Sequence, residues 1–90
     1  MIGLTKKEIK QIKNTLNEID VKKIILFGSR AKGTNQKASD IDLAIDGDAK
    51  KAYYLLNEES PLPYFFDVLN LSKIKNQNLL NHIKRVGKEL

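Results

Sequence analysis

The spacing of apolar positions changes repeatedly along the chain, and each change marks an element. Ile9, Ile12, Leu16 and Ile19 share one helical face, with Lys6, Lys7, Lys10 and Lys13 largely off it. Thr5, followed three residues later by Glu8, is the capping-box pattern that starts such a helix, and the stripe predicts an end near Ile19. "KIILFG", residues 23–28, is a β-branched and apolar run stopped by glycine, so it predicts a buried strand. "SRAKG" suits a single helical turn and "TNQKAS" is polar turn material. "DIDLAID", residues 40–46, alternates and predicts a second strand.

Asp48 can cap a helix running through "AKKAYYLLNEE", and the "SPLP" at residues 60–63 breaks it. "YFFDVLNL", residues 64–71, predicts the third strand. Ser72 can cap a last helix carrying Ile74, Leu79, Leu80, Ile83 and Val86. The expected architecture is one α/β domain over residues 1–90, a small three-stranded mixed sheet flanked by helices. Strands two and three enclose a helical crossover and should be parallel, joined right-handed. The link between strands one and two is too short for such a crossover, so an antiparallel pair is expected there.

Composition narrows the class. Ninety residues make one small domain, which buries only roughly 60% of its unfolded surface. At 41% hydrophobic and 30% charged residues, the balance is that of a globular chain. The absence of cysteine excludes disulfides and cysteine-based zinc sites, and makes the reducing cytoplasm the natural compartment. No apolar run approaches the roughly 20 residues of a membrane span. The net charge of +5 suits an anionic partner, and it suits equally a lysine-rich solvated surface.

Candidate chemistry sits in the second strand. Asp40 and Asp42 are two apart, so they project to one face, while Ile41, Leu43 and Ile45 project to the other. Paired carboxylates need a cation, a shared proton or open water. Oxygen-only ligands of this kind suit Mg²⁺ or Mn²⁺. With the strand directions above, Gly28 and Ser29 lie near Asp40 and Asp42, and Asp67 sits near the start of strand three at the same end. A carboxylate among Phe65, Phe66, Val68 and Leu69 is costly unless paired. Glycine permits close backbone approach, and the start of a helix offers free N–H groups to an anion.

Each piece also has a plainer reading. The paired aspartates can be strand-end residues facing water, Asp67 can be satisfied by lysine or backbone donors, and "GSRAKG" can be an ordinary turn. Asp46, further along the face of Asp42, is the reserve third carboxylate. A Walker P-loop is excluded: Gly28 and Gly33 have its spacing, but Thr34 and Asn35 stand where Lys and Ser or Thr are required.

"GSRAKG" followed by "SDIDLAI" closely resembles the Gly-Ser…Asp-x-Asp signature of the DNA polymerase β-like nucleotidyltransferases. The short length resembles the minimal nucleotidyltransferases, partners of HEPN-domain toxins in toxin–antitoxin pairs. The likeness covers essentially the whole chain. It implies two-metal nucleotidyl transfer with two Mg²⁺ ions, or Mn²⁺, and ATP as donor. By position it implies that Gly28 and Ser29 hold the triphosphate, with Arg30 either contacting phosphate or held in a salt bridge. Asp40 and Asp42 would bind both metals, and Asp67 would bind the catalytic metal or activate the acceptor. The extra helical domain of larger members is missing, so base selectivity and activity would depend on a partner.

The expected activity is thus Mg²⁺-dependent transfer of AMP to a hydroxyl of a HEPN toxin, by an antitoxin acting in a hetero-complex or oligomer. The rival is an antitoxin that neutralises by contact alone. Nucleic-acid binding is disfavoured, because Phe65 and Phe66 are adjacent and face opposite ways. His82, with no second histidine, reads as a solvated or capping residue. Tyr53, Tyr54, Leu55 and Leu56 read as core and helix packing.

Overall fold

Thr5 starts the first helix as its sequence requires. Its hydroxyl accepts from the Glu8 N–H at 3.1 Å, and Glu8 returns a carboxylate oxygen to the Thr5 N–H at 2.9 Å. The computed structural model describes residues 2–90. In chain order its elements are α1 (Lys6–Leu16), β1 (Val21–Phe27), α2 (Gly28–Lys32), β2 (Ile41–Gly47), α3 (Ala49–Tyr54), β3 (Phe66–Asn70), α4 (Gln77–Val86) and β4 (Lys88–Glu89).

β1 and β2 are antiparallel, and β2 and β3 are parallel. The sheet is therefore mixed, as expected, but it has four strands, not three. Its order is β3-β2-β1-β4. Gly87 ends α4, after which Lys88 and Glu89 pair with Leu26 and Ile25, and the Leu90 N–H donates to the Ile24 carbonyl at 2.9 Å. Two polar residues carry no period of their own, so only the open edge of β1 reveals them as a strand.

The sheet separates two apolar layers. On one face Leu26, Ile41, Leu43, Ile45 and Phe66 pack against Ile12 and Leu16 of α1 and Ala52 of α3. On the other, Phe27 and Ala44 pack against Ile83 and Leu79 of α4. Alternation along β2 assigns Asp42 to this second face.

Several boundaries differ from the expected ones. α1 stops at Leu16, and Ile19 closes a turn onto the Leu16 carbonyl. α3 continues as a π-helical turn over Leu55–Glu59. Ala52, Leu55 and Leu56 share the buried helical face, which leaves Tyr53 and Tyr54 43% and 54% exposed, so the tyrosines are surface and not core. Ser72 does not cap α4. Asn70 caps a short 3₁₀ turn, Leu71–Lys73, and Asn76 caps α4 by accepting from the Leu79 N–H at 3.2 Å.

The buried polar centre is Arg30, only 3% exposed. Its guanidinium donates to the carbonyls of Ser39 (3.0 and 2.8 Å), Gly3 (2.7 Å) and Lys37 (3.3 Å). It lies 4.4 Å over the Tyr64 ring. The Tyr64 hydroxyl donates to Glu8 at 2.6 Å, which joins this cluster to the α1 cap. Burial pushes the Glu8 carboxyl up, but hydrogen bonds from Thr5 and Tyr64 and the nearby Arg30 charge leave it below its ordinary value.

Lysine cannot reproduce this planar fork. Arg30→Lys should cost about 2–4 kcal/mol by leaving buried carbonyls without donors. Urea denaturation measures it. A loss within experimental error would contradict the role given to Arg30.

Candidate active site

Strand register assembles the site. Phe27 of β1 lies opposite Asp42 of β2, and Asp42 lies opposite Asp67 of β3. The end of β1 and the beginnings of β2 and β3 therefore share one end of the sheet. Asp40 stands one residue before β2, exposed, two positions from Asp42.

Two side-chain clamps fix the backbone just before each flanking aspartate. Arg30 holds the Ser39 carbonyl beside Asp40. Asn57 holds both backbone groups of Phe66 beside Asp67: its amide donates to the Phe66 carbonyl at 2.9 Å, and its oxygen accepts the Phe66 N–H at 2.8 Å. The π-helical turn makes this reach possible, and the same Asn57 amide also satisfies the Tyr53 carbonyl at 3.1 Å.

Gly28 follows Phe27 with φ +74°, a conformation glycine adopts without strain. A Cβ there would strike the Asp42 carboxylate, so the position demands glycine twice over. Phe27 stands at the N-cap of α2 with no side-chain acceptor, which leaves the first-turn amides without an N-cap partner. Gly33, in the left-handed conformation, closes the helix after Lys32.

The electrostatics are those of crowded anions. Burial raises the Asp42 carboxyl above its ordinary value of 3.8, and the charges of Asp67 and Asp40 raise it further, against a smaller opposing pull from His82. The carboxylates share an end of the sheet without closing on one another: among the described residues no three His, Cys, Asp or Glu side chains form a ready metal cage.

Three expectations need correction. Asp67 is exposed, so the cost of burying an ionised carboxylate does not apply to it. Arg30 spends its donors on backbone carbonyls beneath the surface and is not a phosphate contact. His82 is neither free in solvent nor a cap. Its ring meets Phe27 edge-on, centroids 6.3 Å apart at 83°, on the α4 side of the site. The signal was its place beside Ile83 and three residues after Leu79, at the margin of the apolar stripe of α4. Asp46 shares the face of Asp42 but pairs with Lys23 toward the other end of the strand, away from the site.

The sequence model of the family "Polymerase beta, Nucleotidyltransferase" matches residues 10–90. Among solved structures, the chain resembles one described as a toxin–antitoxin with AMP-PNP: TM-score 0.74, 24% identity, covering 89% of this chain and 69% of that one. A mutant of the toxin–antitoxin MntA-HpeT gives a TM-score of 0.70 at 19% identity, covering 96% of this chain and 71% of that one. At these identities the likeness is one of fold. A search of curated proteins finds no match.

The crowding at Asp42 has a pH signature. Its carboxyl titrates higher folded than unfolded, so the ionised form costs stability at neutral pH, and that cost is withdrawn as pH falls through the folded value. Asp42→Asn should therefore raise the melting temperature of the metal-free protein at pH 7. The difference from wild type should shrink on acidification below the ordinary aspartate value. A variant destabilised at pH 7 would contradict the repulsion.

Proposed function

The chain belongs to the polymerase β nucleotidyltransferase family, and from that premise we propose that it moves AMP from ATP to a hydroxyl of a HEPN-domain toxin, acting as the antitoxin. The observation that carries this reading is the row Phe27–Asp42–Asp67, with the Gly28 turn pressed against Asp42. A close-approach glycine and uncapped amides beside clustered carboxylates suit a metal-bound triphosphate.

The donor set fits a hard divalent cation. Every candidate ligand is a carboxylate oxygen, and a cation would relieve the charges of Asp67 and Asp40 that, after burial, raise the Asp42 carboxyl. Asp40, Asp42 and Asp67 would hold Mg²⁺ or Mn²⁺, whose chemistry when bound is to neutralise the triphosphate and acidify a hydroxyl. Gly28 and Ser29 would hold the phosphates through the α2 amides, and the Ser29 hydroxyl would add a donor. Asp67, exposed at the sheet end, would orient the acceptor hydroxyl and take its proton. The acceptor oxygen bonds to the α-phosphorus, the bond from that phosphorus to the bridging oxygen breaks, and pyrophosphate leaves with the electron pair.

The toxin–antitoxin fold neighbours support an antitoxin role. One of them carries AMP-PNP, and the other has two aspartates, two positions apart, changed to glutamate. That is the spacing of Asp40 and Asp42.

ATP with Mg²⁺ should raise the melting temperature, because a ligand binding only the folded chain stabilises it by mass action. Ser29→Ala should reduce the shift, and Gly28→Val should remove it. No shift with any nucleoside triphosphate at saturating metal would contradict the phosphate site.

Asp40→Asn with Asp42→Asn should fold and bind the HEPN toxin but add no AMP to it, by intact mass, and should fail to silence it in cells. Full silencing by that double variant would establish neutralisation by contact alone.

A further inference from the structure

β3 is an edge strand, yet its outward backbone is only half covered. Asn57 takes the outward N–H and C=O of Phe66. Strand alternation turns the N–H and C=O of Val68 the same way, and among the described residues no side chain bonds to them. Beside Val68 runs a groove of about 730 Å³ between α3 and the strand, lined by Lys50 and Tyr53 on one side and Val68, Leu69 and Asn70 on the other, with Lys73 beyond. Its one acid, Asp48, already caps α3 by accepting from the Lys51 N–H.

Tyr53 joins this groove to a neighbouring exposed aromatic surface that includes Tyr54 and Phe65. Tyr53 and Phe65 meet edge to face with centroids 6.0 Å apart. With Tyr54 they are the exposed large hydrophobic residues of the described chain, so all of that surface lies at this edge.

We propose that this edge captures an extended, acidic segment of the acceptor protein as an added strand, with an apolar side chain of the segment against Tyr53 and Phe65. The proposal rests on the reading that the acceptor is a protein hydroxyl. The open outward N–H and C=O of Val68 offer a peptide strand its point of pairing. Lys50 and Lys73 flank the groove and select acidic residues, and on a chain of net charge +5 they oppose a second copy in the same place. A segment bonded to Val68 would set the neighbouring residue beside Asp67, with its side chain on the face of Asp67. A hydroxyl at that position would stand next to the candidate site.

The test begins with a phage library of random linear peptides panned on the full chain. Selected peptides should carry Asp or Glu flanking an apolar residue. Binding of a synthetic copy of the best one, followed by fluorescence anisotropy, should weaken about tenfold or more in Lys50→Glu/Lys73→Glu. The Val68 amide should gain protection from hydrogen exchange when the peptide binds. Peptides without acidic residues, affinity insensitive to charge reversal in a folded variant, or an unprotected Val68 amide would each overturn the proposal. So would a single-stranded oligonucleotide that binds these residues where no peptide does. If peptides bind as described while no protein gains AMP, the docking edge stands and the acceptor reading falls. If the toxin gains AMP equally fast from the charge-reversed variant, the acceptor reading stands and the docking edge falls.

Discussion

The Arg30 guanidinium is the constraint on which the rest of the molecule leans. A buried charge is tolerated only when its donors are satisfied, and here they are satisfied by the carbonyls of Gly3, Lys37 and Ser39 while one face stacks on Tyr64. Those carbonyls come from the N-terminal segment and from the loop into β2. One side chain thus gathers the entry to α1, the loop after α2 and, through Tyr64 and Glu8, the approach to β3. The loop carrying Asp40 has little apolar surface of its own, so it is held by this fork. Asn57 does the corresponding work for β3 with a neutral amide, holding Phe66 so that Asp67 stays opposite Asp42.

That backbone scaffolding matters because the carboxylates themselves repel. Nothing about Asp40, Asp42 and Asp67 favours their proximity, and the Asp42 carboxyl is raised by burial first and then by the charges of Asp67 and Asp40. The energy that keeps them together comes from elsewhere: the β1–β2–β3 ladders, the apolar layers on either face of the sheet, and the two clamps. Stability spent in this way on a cluster of like charges is what a cation-binding site requires before its cation arrives.

What could be read in the sequence was what local chemistry dictates. Thr5 and Glu8 specify their cap within four residues, the alternation of residues 41–45 specifies which face Asp42 takes, and the short link after Gly28 specifies an antiparallel pair. The features that escaped depend on distant partners. β4 exists because β1 has a free edge, and Lys88 and Glu89 carry no pattern that says so. Ser72 and Asn76 are both competent caps, and packing of Ile83 and Leu79 on the second face chose the later start. Arg30 beside a Gly-Ser turn looks like a phosphate ligand until three remote carbonyls claim it. His82 reads from sequence as a lone solvated or capping histidine, and only the position of α4 across Phe27 brings it to the site. The exposure of Tyr53 and Tyr54 was legible in the helical spacing of Ala52, Leu55 and Leu56, which take the buried face and leave the tyrosines off it.

The central claim is that one end of the sheet, where Gly28, Asp40, Asp42 and Asp67 meet, binds a divalent cation with a nucleoside triphosphate. Titrating Mn²⁺ into the isotope-labelled protein with AMP-PNP, and following paramagnetic broadening of backbone amide signals, tests it most directly. The account predicts that the amides of Gly28, Ser29, Asp40, Asp42 and Asp67 broaden first, while those of Asp46 and Asp48 at the other end of β2 persist. Broadening centred on Asp46 and Asp48, or spread over the surface without a centre, would contradict it.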